Sequence, residues 1–132
     1  MRVIVDTSVW SLALRRGREP SHSAVRKLRL LLLADEDIAL VGVILQEVLQ
    51  GFRSDAIFRD MQRALAPFPI LEPSRDIYIA AAQLKRTCAA AGVTASTVDC
   101  NIAATAIEHG CSLLSADKDF VRIARHSALE LL

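Results

Sequence analysis

Short runs of apolar, mostly β-branched or leucine residues alternate with longer segments whose apolar residues recur at helical spacing, and this alternation most constrains the fold. Two helical segments separate each of the first four short runs, and one separates the last two. This order predicts an α/β fold with a mainly parallel central sheet and helices on both faces. The chain has 132 residues, a length that suits one domain spanning residues 1–132. The predicted strands are residues 3–5, 38–41, 70–71, 111–114 and 129–132.

Local signals place several helix boundaries. A helix over residues 55–65 should stop before Pro67 and Pro69, because proline cannot continue it. An alanine-rich helix beginning near Ser74 should end at Gly92. Ser96 and Asp99 have the spacing of a capping box, which predicts that a helix begins there, and Gly110 is typical of the residue just past its end.

Four acidic residues lie where a predicted strand ends or on a predicted helix: Asp6, Glu47, Asp99 and Asp117. Each has an ordinary structural interpretation, since the aspartates could cap helices or favour a helix N-terminus, and the glutamate could be solvated. Together they indicate more, because the carboxyl ends of parallel strands share one edge, where open α/β folds bind ligands. The sequence therefore predicts a carboxylate site for a hard divalent cation.

Composition narrows the function classes. Apolar residues make up 52% of the chain, yet no unbroken apolar run approaches the roughly 20 residues of a membrane span, so we expect a cytoplasmic protein with no membrane association. Three cysteines without a C-x-x-C pair favour reduced, buried thiols over a disulfide framework or a zinc site. The net charge of +1 shows no overall attraction to nucleic acid, although residues 1–34 are rich in arginine.

Four ordered blocks carry a resemblance to a known family: VIVDTSVW at residues 3–10, QEVLQG at 46–51, DCNIAATA at 99–106 and LLSADKDF at 113–120. With these blocks the chain resembles the PIN-domain ribonucleases, and among them the VapC-type toxins of toxin–antitoxin pairs. The resemblance spans essentially the whole chain. It implies a PIN-like fold and a metal-dependent endoribonuclease that uses Mg²⁺ or Mn²⁺.

The resemblance also assigns expected roles to individual residues. It makes Asp6, Glu47, Asp99 and Asp117 the catalytic and metal-binding set, with Glu47 either a ligand or a residue that positions water. It also implies a supporting role for four further residues: Thr7, Ser8, Ser115 and Asp119. The implied substrate is RNA, and the expected phosphate contacts near Asp6 are Arg15, Arg16 and Arg18, whose alternative is a solvated helix face.

The implied partners are a second copy of the chain and a VapB-type antitoxin that covers the acidic site. The expected contacts for the antitoxin are Leu45, Val48, Leu49 and Phe52, unless core packing uses all four. Two other classes deserve comparison. A phosphoacceptor receiver module needs adjacent acids after its first strand, which Asp6-Thr7-Ser8 lacks. A catalytically silent PIN-like binding module would have lost the metal-binding acids, whereas all four are present.

Overall fold

The computed structural model describes residues 1–14 and 22–132. The expected phosphate contacts Arg15, Arg16 and Arg18 lie outside these residues. The elements in chain order are β1 (Arg2–Val5), α1 (Thr7–Leu14), α2 (Ser23–Leu33), β2 (Asp37–Val41), α3 (Gly42–Gln50), α4 (Asp55–Leu65), β3 (Ile70–Leu71), α5 (Arg75–Ala90), α6 (Thr97–Glu108), β4 (Ser112–Leu114) and α7 (Asp119–Ala124).

The four strands form one parallel sheet in the order β3-β2-β1-β4. Val3, Ile4 and Val5 of the central strand β1 are fully buried. Burial of consecutive residues, whose side chains point to opposite faces, requires cover on both sides of the sheet. This architecture confirms the predicted α/β fold with helices on both faces.

The predicted fifth strand at residues 129–132 is wrong in extent. Only Leu131 pairs with the sheet, through a single parallel bridge to Leu113. Two backbone hydrogen bonds hold it there, from Leu113 N to Glu130 O at 2.9 Å and from Leu132 N to Leu113 O at 2.9 Å. Strand β4 has only three residues, and only one of them, Leu113, pairs with this segment. A single bridge is too short to make residues 129–132 a strand.

The predicted helix boundaries are observed. Ser54, Ser74 and Ser96 each accept a hydrogen bond from the backbone N–H three residues later, which is the N-cap arrangement. Gly92 and Gly110 follow the ends of α5 and α6 with φ values of +80° and +64°, a conformation that favours glycine. Within residues 1–14 and 22–132, no helix combines the length and apolar character needed to cross a membrane.

Candidate active site

The candidate site lies at the carboxyl edge of the sheet, above the neighbouring strands β1 and β4. Asp6 directly follows β1, and its backbone N–H donates to Leu114 O at 2.9 Å, so the two strands hold together up to this residue. Asp117 comes three residues after β4 ends. Strand β1 lies between β2 and β4 in the sheet. The next strand along the chain, β2, is its neighbour on one side, and β4 is its neighbour on the other. Such a switch point opens a crevice at the carboxyl ends of the strands.

Three aspartates form the tightest acidic group of the described residues. One carboxylate oxygen each from Asp99, Asp117 and Asp119 lies within 4.8 Å of the others. Asp99 is held in the first turn of α6, where its backbone N–H donates to the Ser96 N-cap Oγ at 3.0 Å. Asp117 and Asp119 come from the β4–α7 connection and the start of α7.

Two serine hydroxyls fix the carboxylate of Asp6, which is 6% exposed. Ser8 Oγ and Ser115 Oγ donate to Asp6 Oδ2 at 2.8 and 3.0 Å. Both hydroxyl protons go to Oδ2, so the other carboxylate oxygen, Oδ1, accepts neither of these two bonds.

The same two hydroxyls also hold the connection that carries Asp117. Ser8 Oγ accepts from Ala116 N, and Ser115 Oγ accepts from Asp117 N, both at 3.0 Å. Asp117 Oδ1 in turn accepts from Asp119 N at 2.9 Å. Ser8 therefore joins the first turn of α1 to a loop more than 100 residues further along the chain, and the positions of Asp6 and Asp117 depend on each other.

Glu47 lies beside this group without being part of it. Its Oε1 accepts from Thr7 Oγ1 at 3.0 Å, so the residue that follows Asp6 holds the one acid supplied by α3. The two hydroxyls of the Thr7-Ser8 pair thus serve different carboxylates: Thr7 holds Glu47, and Ser8 holds Asp6.

Burial and the acidic surroundings alter the protonation of Asp99. The pKa of its carboxyl is raised from the ordinary 3.8 to about 6, mainly because burial disfavours the charged form; the hydrogen bond with Ser96 lowers the pKa, and the negative charges of Asp6, Asp117 and Asp119 raise it. Carboxylates crowded without a cation favour the protonated form in this way. Perturbed carboxyl pKa values in a cleft are typical of functional sites.

The donor set fits a hard divalent cation. Carboxylate oxygens are the ligands that Mg²⁺ and Mn²⁺ prefer, and two oxygens bound to one Mg²⁺ at about 2.0–2.1 Å lie at most about 4.2 Å apart. The carboxylates of Asp99, Asp117 and Asp119, within 4.8 Å of one another, need only a small movement to share one ion. Asp6 lies outside this 4.8 Å group, although its negative charge acts on Asp99.

The structure brings the predicted acids to one edge of the sheet. Two of them, Asp119 and Glu47, differ from the expectation in their position relative to the compact group. Asp119, expected only as a supporting residue, lies within the compact group, whereas Glu47 is held beside it by Thr7. Ser8 and Ser115 contact Asp6 and the β4–α7 connection. Among the histidines, His22 is an exposed N-cap of α2, and His109 and His126 are exposed.

One charged residue near the site, Arg122, was not among the residues predicted from the sequence. Arg122 Nη1 donates to Asp119 Oδ1 at 2.7 Å. The three-residue spacing on a short helix is compatible with an ordinary surface pair, and only the position of Asp119 in the acidic group gives Arg122 a place beside the site. The sequence cue was the spacing Asp119-x-x-Arg122 directly after an assigned acid.

An apolar groove of about 390 Å³ runs between α1, α3 and α4 and reaches the site at Glu47. Two of the four expected antitoxin contacts, Val48 and Phe52, line it. All four also take part in core packing, since Val48 is buried in the core and Leu45, Leu49 and Phe52 are partly buried against it. Helix α4 has just one fully buried residue, Leu65, so its apolar side is largely uncovered. The groove lining is Ser11, Leu14, Glu47, Val48, Gly51, Phe52, Ile57, Asp60 and Met61.

Known proteins share both the sequence and the fold. The PIN domain family matches residues 3–126. Ribonuclease VapC11 of Mycobacterium tuberculosis and VapC ribonuclease Mb1587 of Mycobacterium bovis are each 35% identical to the chain over 130 residues, covering 97% of this chain and 96% of the relative. The chain therefore belongs to the PIN-domain family and, within it, to the VapC ribonucleases.

Solved structures agree on the fold. VapBC2 from Rickettsia felis, bound to a DNA fragment from its promoter, superposes with a TM-score of 0.80 at 18% identity, covering 100% of this chain and 98% of the other. FitAcB from Neisseria gonorrhoeae gives a TM-score of 0.77 at 20% identity, covering 98% and 96%. At these identities, the likeness supports the fold of the whole chain.

Proposed function

We propose that this protein is a metal-dependent endoribonuclease, the toxin of a type II toxin–antitoxin pair, and that it hydrolyses RNA phosphodiester bonds at the acidic site. The observation that carries the proposal is the compact group of Asp99, Asp117 and Asp119 carboxylates next to the fixed carboxylate of Asp6. The 35% identity to ribonuclease VapC11 over nearly the full length of both chains supports RNA as the substrate.

The residues divide the work of the site. Asp6, Asp99, Asp117 and Asp119 would hold Mg²⁺ or Mn²⁺, and Glu47 either completes the set or orients the attacking water. When bound, the cation would supply charge stabilisation at the phosphate and a more acidic water. Ser8 and Ser115 keep Asp6 Oδ2 occupied, so Asp6 presents Oδ1 in a fixed direction. Preorganised ligands of this kind avoid the cost of reorienting during the reaction.

The direct test is cleavage of total RNA by purified protein with Mg²⁺ or Mn²⁺, run beside a chelator control and the Asp6→Asn protein. We expect cleavage that requires the cation and is lost in the variant. No cleavage by folded, antitoxin-free protein would contradict the nuclease function and favour the alternative, a catalytically silent binding module.

We also propose that an antitoxin segment occupies the groove between α1, α3 and α4. Leu14, Phe52 and Met61 offer apolar contacts, while Glu47 and Asp60 place two acids on the same groove. The complementary partner is an amphipathic segment with an apolar face and a basic side chain directed toward Glu47. Such a segment would cover the entrance to the acidic site, and the solved VapBC2 structure from Rickettsia felis supports an antitoxin as the partner.

Acidic substitutions on α4 separate antitoxin binding from catalysis. Met61→Asp or Ile57→Asp places a charge in the groove and should weaken binding of the cognate antitoxin by at least about tenfold, because an apolar contact becomes a desolvated charge. Phe58→Asp is the matched control, since Phe58 is on the same helix and does not line the groove. Equal affinity of all three variants, measured by calorimetry, would place the antitoxin elsewhere.

We propose in addition that this protein is cytoplasmic and forms a homodimer. Tyr78 and Ile79 on α5 are 58% and 56% exposed, which leaves apolar surface available for a second copy. Light scattering of the purified protein should give the mass of two chains, and Ile79→Glu should shift it toward one. A wild-type mass of one chain at micromolar concentration would contradict the dimer.

A further inference from the structure

Arg122 is a basic side chain held against the acidic site. Its Nη1 lies 2.7 Å from Asp119 Oδ1, and Asp119 shares the 4.8 Å group with Asp99 and Asp117. The guanidinium is therefore at the rim of the proposed cation site. The other two ion pairs that join described residues in the structure, Arg2–Asp37 and Arg63–Asp60, involve none of these three acids.

The contact with Asp119 leaves Arg122 able to bind something else. The side chains of Arg122 and Asp119 are 54% and 51% exposed, and an exposed pair of this kind is weak, so the arginine can change partner at little cost. A guanidinium carries five N–H donors in a planar fork. The pair with Asp119 uses one of them.

The negative charge of the acidic site favours a basic group at the position of Arg122. Asp6, Glu47, Asp99, Asp117 and Asp119 bring five carboxylates to one edge of the sheet, and one divalent cation offsets two of their charges. The remainder repels an approaching RNA backbone. A guanidinium beside the cation site counters this repulsion, and its fork can donate two parallel hydrogen bonds to a phosphate.

We propose that Arg122 is a phosphate-binding residue of this site, whose guanidinium exchanges Asp119 for a nonbridging oxygen of the RNA backbone when substrate binds. The exchange would release Asp119 Oδ1 from the ion pair and leave it available as a cation ligand. The inference rests on the proposed nuclease function and deepens it by naming a residue that contacts the substrate. It also provides a phosphate contact from the described part of the chain.

The first test measures RNA binding without cleavage. Binding of bulk tRNA to the Asp6→Asn protein is followed at several salt concentrations, with and without Arg122→Gln. We expect Arg122→Gln to weaken binding about tenfold, as loss of a charge-assisted contact does, and to make the dependence of log K on log salt less steep by roughly 0.7–0.9. Arg122→Lys should fall between the two, because it keeps the charge and loses the fork.

Arg63→Gln is the matched control, because Arg63 forms the same three-residue pair, with Asp60 at 3.5 Å, on a different helix. Binding and salt dependence that change equally, or not at all, in the two glutamine variants would overturn the proposal. No measurable tRNA binding by the parent Asp6→Asn protein would overturn it as well, since a backbone contact does not require a particular base sequence.

Mn²⁺ binding, measured by calorimetry without RNA, separates substrate contact from mere support of Asp119. If Arg122 contacts phosphate, Arg122→Gln should bind Mn²⁺ as tightly as the wild-type protein, or more tightly, because a competing cation is gone. Weaker Mn²⁺ binding with unchanged tRNA binding would make Arg122 a positioning residue and overturn the proposal. Failure of the nuclease function itself would appear separately, as absent metal-dependent cleavage by the wild-type protein.

Discussion

The two halves of the carboxyl edge of this sheet differ in chemistry although the same fold builds both. Above β1 and β4 the chain continues into Asp6 and Ser8 and into Ser115, whose side chains bind one another, and Ser115 Oγ also accepts from Asp117 N. Above β2 and β3 it continues into Gly42 and Val43 and into Glu72 and Pro73, which line a crevice of about 310 Å³. Within residues 1–14 and 22–132, only the first half gathers three carboxylates within 4.8 Å of one another.

The difference shows what the fold provides and what the residues provide. Parallel strands supply an edge where following residues meet, and the switch point between β1 and β4 makes that half accessible. The residue after the strand then decides its use. After β1, Asp6 turns the chain with its side chain fixed in the site, whereas Val41 enters α3 without a side-chain cap.

The largest expected effect comes from removing a carboxylate from the acidic half of the edge. Asp6→Asn or Asp99→Asn should lower RNA cleavage by at least about a hundredfold, since each removes a charge proposed to hold the cation. Glu72→Gln removes a carboxylate from the other half and should leave cleavage unchanged. Rates on total RNA with Mn²⁺, together with circular dichroism of each variant, measure the contrast. Similar losses in Glu72→Gln and Asp6→Asn would break the distinction between the halves.

Ser8→Ala should have the next largest effect. It removes a hydrogen bond to Asp6 Oδ2 and the acceptor for Ala116 N, so the turn after β1 and the connection after β4 lose their shared contact. We expect cleavage and Mn²⁺ affinity to fall about tenfold together, because hydrogen bonds to charged groups contribute about 1.5–3 kcal/mol. Ser23→Ala, at the exposed start of α2, is the control. Wild-type Mn²⁺ affinity in Ser8→Ala would show that Ser115 alone orients Asp6.

The stability of the cation-free protein should depend on pH through Asp99. Its pKa is raised from 3.8 to about 6 in the folded state, so between these values the folded protein binds more protons than the unfolded chain. Stability contributed by this group therefore falls as pH rises from about 4 to about 6. Because the carboxyl is half-buried, solvent screening reduces the expected loss to about 1 kcal/mol.

Urea unfolding in a chelator at pH 4.5 and pH 7 measures this dependence, and other carboxylates are controlled for by comparison with Asp99→Asn. The variant lacks the titrating group, so its stability should fall less over the same interval than that of the wild-type protein. If the stability of the two proteins falls equally between pH 4.5 and pH 7, the raised pKa of Asp99 is not the source of the pH dependence.

The sequence predicted the strands and the acids better than their precise relations, for a physical reason. Apolar runs, caps and glycines act locally, so β1, the Ser96 cap and the Gly110 terminus could be located from neighbouring residues. The bonds from Ser8 to Ala116 and from Thr7 to Glu47 join residues 108 and 40 positions apart. No periodicity reports such contacts. The prediction of a fifth strand was too long for a similar reason, because strand formation depends on pairing with a neighbouring strand as well as on the β propensity of the residues.

Thr7→Val should have the smallest effect and also tests how Glu47 takes part. The substitution keeps the shape of the side chain and removes the hydrogen bond to Glu47 Oε1, so cleavage should fall only about two- to fivefold, as for a net loss of about 0.5–1 kcal/mol. If Thr7 acts only through Glu47, adding Thr7→Val to Glu47→Gln should lower cleavage no further than Glu47→Gln alone. Additive losses would instead mean that Thr7 contacts substrate or water itself. Mn²⁺ affinity then separates the two roles of Glu47, because a ligand loses affinity when Thr7 is replaced, whereas a residue that positions water loses only rate.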